Sequence, residues 1–314
     1  MDLSLLADPG FLLQNLVDGL SRGALYGVYA MGFTLIFGVL DILNLAHAAT
    51  FMWCAFAGWL VMARSGLSLP FGLAAAMLSG GAIAVALEFL AFRPLRREGP
   101  AGGAAADKLS PMISSIGASI IMVSVAEACF GVETRRFPDT VLDPKPFIIK
   151  AAWGLRISRA QILILAASVI LMALLGLFIR RTRAGTAIRA VAASRKASLL
   201  LGIDVNSIIV LTFLVGGALA GAAGILVALL TNNIVPGMGS QIELRGLAVV
   251  ILGGMGNVEG AVLGGFLLGL VETFTIAYLP GGSDLKDAIA FLILFLMLLA
   301  KPDGLMGRGK AERA

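Results

Sequence analysis

Eight long apolar runs govern what this chain can fold into. They fall at 23–40, 47–63, 70–92, 111–131, 160–179, 208–230, 258–279 and 286–300. Most approach the roughly 20 residues that a helix needs to cross the hydrocarbon of a bilayer. Lipid offers no partner to a bare N–H or C=O, so such runs are read as helices, which satisfy their own backbone. The predicted fold is therefore all-α, a polytopic membrane helix bundle of about eight transmembrane helices. Residues 11–22 are amphipathic and either extend the first run or lie on the surface. Residues 246–254 are apolar but too short to span, so the stretch 241–256 reads as a short or re-entrant segment, tolerated at membrane depth only inside protein or beside a cavity. The spans use most of the 314 residues, and the chain reads as one transmembrane domain, 1–314.

Composition closes off the other classes. Apolar residues make up 59% and charged residues 14%, against about a quarter charged in soluble domains. Together with a mean hydropathy of +0.95 this excludes a disordered chain, a charged tail protein and a soluble enzyme. A net charge of +5 raises the question of nucleic acid, but in so apolar a chain Lys and Arg mark cytoplasmic loops, and no nucleic-acid partner is expected. Cys54 and Cys129 both lie inside apolar runs and make neither a zinc spacing nor a disulfide framework. His47 is the only histidine, so no metal site is expected. Asp2 opens the chain and no Lys or Arg precedes Arg22, so no cleavable leader is expected either.

The basic residues set the orientation. Arg93, Arg96, Arg97 and Lys108 fall in one loop, and Arg180, Arg181, Arg183, Arg189, Arg195 and Lys196 in another. Two spans separate these groups, which places both in the cytoplasm. The tail, with Lys301, Arg308, Lys310 and Arg313, joins them only if one more crossing is hidden between 231 and 257. Against this, the loop 132–159 falls outside while carrying Arg135, Arg136, Lys145, Lys150, Arg156 and Arg159.

Few residues can carry chemistry. The stretch from Gly304 to Lys310 has Walker A spacing, but Ala311 stands where a magnesium-binding Ser or Thr is needed and no strand precedes it. The Gly254–Gly260 stretch is one residue too long for a dinucleotide fingerprint. No Ser/His/Asp set is available, so the chain is read as non-catalytic. Asn44 and His47 stand three apart where one run yields to the next, which on a helix puts them on one face. They either line a cavity or hydrogen-bond between helices. Glu88, Glu127 and Glu272 sit in or near apolar runs and are expected to pair structurally, with Arg93 or Arg245 for instance. Small residues one turn apart, at Gly23/Gly27, Gly217/Gly221 and Gly260/Gly264, allow close helix crossing.

The most unusual stretch is 180–207. It is basic yet carries Ala and Leu at helical spacing, and reads as an amphipathic helix from near Thr186 to Gly202. Such a helix either lies on lipid or docks into a partner's groove. The apolar run Leu199–Leu201 favours docking.

Three blocks, in order, resemble the permease subunit of bacterial and archaeal branched-chain amino acid ABC transporters, in its shorter form. The first contains Gly23, Tyr26, Ala30, Gly32, Gly38, Asn44, Ala46 and His47. The second contains Arg189, Ala190, Val191 and Ala192, then Lys196, Ala197, Ser198, Gly202 and Ile203, then Thr212, Phe213, Ala220, Gly221 and Gly224. The third contains Val250, Gly253, Gly254, Gly256, Asn257, Gly260, Ala261, Gly264 and Gly265. The second block is similar to the Glu-Ala-Ala-x3-Gly loop that ABC permeases present to their ATPase, with Lys196 where Glu is usual and Ser198 where Ala is usual. Ala48 stands where the family often has Gly.

The resemblance implies a permease of a bacterial inner membrane. It would work with a second, homologous permease, two ATPase subunits that use ATP and Mg, and a periplasmic solute-binding protein, and would bind no cofactor itself. It implies a coupling loop at 180–207 that uses Arg189, Arg195, Lys196, Ala197, Ser198, Gly202, Ile203 and Asp204. The implied path is shaped by Asn44, His47 and the Gly253, Gly254 and Gly256 backbone. The implied solute is a branched-chain or other apolar amino acid. Urea, short amides and small aromatic acids stay open within the family, and an ATP-independent secondary transporter stays open outside it.

Overall fold

A computed structural model describes residues 9–97, 104–137 and 156–307. Among the described residues the regular structure is helical, with one isolated antiparallel bridge, Arg135 to Ile234. Helix α1 (Pro9–Leu40) absorbs the amphipathic 11–22 stretch into one 32-residue helix. Then come α2 (Ala46–Ser65) and α3 (Leu69–Leu87), which runs on through a π-helical turn (Glu88–Phe92) into the short α4 (Arg93–Arg97). Next are α5 (Ala104–Phe130), α6 (Arg159–Arg181), the small pair α7 (Arg183–Ala193) and α8 (Arg195–Leu200), and α9 (Val205–Thr231). The chain ends in α10 (Met238–Gly253), α11 (Val258–Tyr278) and α12 (Gly282–Ala300).

Seven helices are long and apolar enough to span: α1, α2, α3 with its extension, α5, α6, α9 and α11. The eighth predicted run becomes α12. It has the length of a span but carries Asp284, Lys286 and Asp287 in its first two turns. Burial grades from the centre outward. The most apolar stretch of α1 is 89% buried and that of α9 is 72% buried, against 11% for α5 and 17% for α6. Several helix crossings are made at glycine. A Cβ at Gly265 of α11 would meet the Gly27 amide nitrogen of α1 at 2.6 Å and the Gly23 carbonyl at 2.8 Å. Gly217 and Gly221 of α9 abut Gly80 and Ala76 of α3, and Gly260 and Gly264 of α11 abut Gly253 of α10. Without a solvent-driven force between helices in lipid, such close backbone approach is what holds the bundle.

One end of the bundle gathers the C-termini of α1, α6 and α10 with the N-termini of α9 and α11, along with α4, α7 and α8. Arg195 binds the last carbonyls of α1, Arg180 binds Glu259 at the start of α11, and the 305–306 backbone bonds to Leu252 and Gly253. The opposite end joins Gln14 to Arg156, Asp18 to Gln161 and Trp59 to Arg136. The conflicting basic loop is described only at 132–137 and 156–159. Lys145 and Lys150 lie outside the described residues, as do Arg308, Lys310 and Arg313.

The hidden crossing is α10. At the outer end of α9, Asn232 accepts from the Phe137 amide, next to the Arg136 carbonyl that binds Trp59. Yet the Gly237 amide donates to Met52 Sδ, and Gly239 abuts the Ala48 carbonyl. About 16 Å of helical rise separates Trp59 from Ala48 on α2. The 232–237 backbone therefore descends into the bundle before α10 begins, and α10 carries the chain to the basic end in 16 residues.

Candidate functional site

At the basic end the predicted single helix near 186–202 is two. Ser194 is extended, with φ −162° and ψ 112°, and interrupts it. Each piece has its own polar cap. Thr182 Oγ1 accepts from the Gly185 amide at 2.9 Å to start α7, and Ser194 Oγ accepts from the Ala197 amide at 3.3 Å to start α8. Such caps satisfy orphan donors of the first turn. In α7, Ile188 and Val191 are buried while Arg189 is exposed. In α8, Ser198 is buried and bonds back to the Ser194 carbonyl at 2.9 Å.

Arg195 turns inward. It donates to the Val39 and Leu40 carbonyls, each at 2.8 Å, where α1 has orphan acceptors. Burial, with Arg96 nearby, lowers the Arg195 pKa from its ordinary value. Lys196 and Ala197 face outward, next to Leu199, Leu200 and Leu201, which are 60%, 89% and 78% exposed. Gly202 reverses the chain at φ +79°, and the half-buried Ile203 follows. Asp204 then caps α9, accepting from the Ser207 hydroxyl at 2.5 Å and the Asn206 amide at 3.0 Å. The Ser207 hydroxyl is the main cause that holds the Asp204 carboxyl below the usual range.

Inside the bundle, Asn44 is not on a helix face with His47. It precedes α2, and its Oδ1 accepts from the Ala46 amide at 3.1 Å. His47 is fully enclosed, with Tyr29 5.0 Å and Phe33 5.8 Å from its ring centroid. The His47 Nε2 and the Tyr29 hydroxyl are both buried without a hydrogen-bond partner among the described residues.

The Gly253–Gly256 stretch is a packed turn. Gly254 and Gly256 stand at φ +104° and +83°, in the region that favours glycine. Asn257 caps α11 and also donates to the Met306 carbonyl at 2.7 Å. A Cβ on Gly254 would meet the Gly307 nitrogen at 2.6 Å. The Walker-like glycines Gly304 and Gly307 thus serve as packing for this turn.

The carboxylates divide. Glu88 is buried and ion-paired with Arg96 rather than Arg93, which lies over the Phe89 ring. Glu272 is buried, accepts from the Tyr26 hydroxyl at 2.5 Å, and lies 3.4 Å from Arg245, which also reaches Asp287 at 3.1 Å. Glu127 is exposed in the last turn of α5. Among the described residues, no group of three or more His, Cys, Asp or Glu could hold a metal ion. Sequence reasoning did not find the caps Thr182 and Ser194, nor Tyr29 and Glu243. The two caps carried a readable signal, a hydroxyl residue before an Ala-rich turn.

These features define a polytopic helical membrane bundle that leaves an apolar run, Leu199–Leu201, exposed beside Lys196 at its basic end. Residues 15–298 match the family described as the permease component of branched-chain amino acid transport systems, and the chain belongs to that family. It is 36% identical over 309 residues to the high-affinity branched-chain amino acid transport system permease protein BraD of Pseudomonas aeruginosa, covering 96% of this chain and 97% of that one. It is 30% identical to LivH of Salmonella typhimurium, covering 96% and 98%. A solved ABC transporter described as of metal-chelate type, in an inward-facing conformation, overlaps it with a TM-score of 0.46 at 18% identity over 96% of this chain and 91% of that one.

Proposed function

We propose that this permease is the membrane subunit of a binding-protein-dependent ABC importer in a bacterial inner membrane, moving branched-chain or related apolar amino acids. A second, homologous permease pairs with it. Two separate ATPase subunits supply the energy from ATP and Mg, and a periplasmic protein delivers the solute. The chain itself is non-catalytic. The observation that carries this reading is the α7–α8 pair. There an apolar run, Leu199–Leu201, stands exposed beside Lys196 at the basic end, on helices started by the Thr182 and Ser194 caps. That is the form of a docking element, with leucines to fill a groove and polar groups to fix register. The 180–207 loop is the coupling element on this reading. The path runs past Asn44 and His47, and the Gly253, Gly254 and Gly256 turn closes its basic end.

The test is ATP-driven leucine uptake by the assembled transporter with Leu200→Asp and Lys196→Glu introduced together. The chain should remain in the membrane while uptake falls more than tenfold and the ATPase no longer co-purifies. Normal uptake and co-purification would overturn the coupling assignment. Uptake that persists with the ATPases absent would overturn the ABC reading in favour of a secondary transporter.

A further inference from the structure

The descent of 232–237 leaves an unusual surface at membrane depth. Val235, Pro236 and Gly237 are only partly covered, and Ser240, Gln241 and Leu244 on the first turns of α10 are exposed. Exposed irregular backbone and amide side chains do not face hydrocarbon, because no lipid atom can satisfy them. Glu243 lies on the flank of this surface. It is half-buried, and no hydrogen bond or ion pair reaches it among the described residues. Tyr29 is near it: the Tyr29 ring lies against Gly246, one turn along α10, and its fully buried hydroxyl has no partner among the described residues. At 100° per residue the exposed Ser240, Gln241 and Leu244 centre one face of α10, with Glu243 and Arg245 on its two flanks, and Arg245 is taken up by Glu272 and Asp287. The open side of α10 thus offers an uncommitted carboxylate on one flank, a cation already held by Glu272 and Asp287 on the other, and Leu244 and Leu247.

We propose that this side of α10, from Gly237 to Leu247, is a water-lined wall of the solute path, and that Glu243 binds the ammonium group of the passing amino acid. This rests on the importer reading and narrows it. Leu244 and Leu247 suit a branched apolar side chain, and the carboxylate favours a solute that carries an ammonium. Urea and short amides gain little from it, and aromatic acids are repelled. The other permease then faces this wall across the path rather than sealing it.

Two measurements on the assembled transporter test the proposal. In a Cys54→Ala, Cys129→Ser background, Ser240→Cys and Gln241→Cys should react in membranes with a charged, membrane-impermeant thiol reagent, and leucine-loaded binding protein should slow the reaction. Leu78→Cys, in the 440 Å³ apolar groove between α3, α6 and α9, should stay unreactive. Thiols at 240 and 241 as inert as that at 78 would overturn the wall. Separately, Glu243→Gln should lower leucine uptake roughly ten- to a hundredfold, the range for loss of one charged hydrogen bond, and Glu243→Asp should restore part of it. Unchanged uptake in Glu243→Gln would overturn the ammonium site. Failure of the importer reading shows differently: the unaltered chain then gives no ATP-dependent uptake, and the thiol pattern still decides whether the wall is wet.

Discussion

Glu272 is held inside the bundle by groups from other helices, Tyr26 of α1 and Arg245 of α10, and Arg245 is shared with Asp287 of α12. Removing one partner of a buried pair leaves a charge without compensation, at a cost of about 3–5 kcal/mol. Arg245→Met should therefore lower the thermal midpoint of the purified chain sharply, and adding Glu272→Gln should recover much of the loss. A midpoint unchanged by Arg245→Met would show that the pair carries no load. Gly269 sets a different limit. A Cβ there would meet the Gly19 carbonyl at 2.6 Å, whereas Gly117 has nothing within 4 Å. Gly269→Val should abolish monodisperse protein in detergent, and Gly117→Ala should not change it. Pairing was legible from residue type for Glu88 and Glu272, since a buried carboxylate needs a cation, whereas Glu127 is exposed and shows no such pair among the described residues. Arg245 was among the partners foreseen. Arg96 was not. The π-helical turn at Glu88–Phe92 shifts the register, and Arg93 is already drawn onto the Phe89 ring.

Among the elements, the α7–α8 pair separates two neighbouring cations that look equivalent in the sequence. Arg195 binds two carbonyls of α1 through a planar fork, while Lys196 points away. Arg195→Lys should keep the charge but lose the forked contact. We expect it to leave ATPase binding intact while cutting uptake per ATP several-fold, and Lys196→Ala should weaken ATPase binding instead. Equal effects of the two changes on both readouts would contradict the division. The break at Ser194 was not legible, because Ala and Leu periodicity continues through it. It becomes visible only when Ser194 and Thr182 are read as caps rather than as helix interior. The half-helix α10 was foreseen from the short apolar run 246–254 and from charge parity, but its start at Met238 was not, since Ser240, Gln241, Glu243 and Arg245 dilute its apolar signal. Ser240 and Gln241, which helped to hide the element, are residues its open side presents.

Across the whole molecule, helix ends alternate so that the tail after α12 returns to the end that holds Arg96, Arg180 and Arg195. A reporter fused after Ala314 should be active in the cytoplasm, and one inserted at Gly281, between α11 and α12, in the periplasm. The reverse pattern would remove α10 as a crossing. The order of burial, with α1 innermost and α5 and α6 outermost, was not legible, since α6 is the most hydrophobic of the spanning helices. In a bilayer hydropathy reports exposure to lipid, and small residues report the centre. Helix α1 adds one more consequence. It is a single rod of about 48 Å, gripped by Arg195 at one tip and by Gln161 through Asp18 near the other. A tug on Leu40 has no hinge in which to dissipate, so the far face of the protein should feel it almost undiminished.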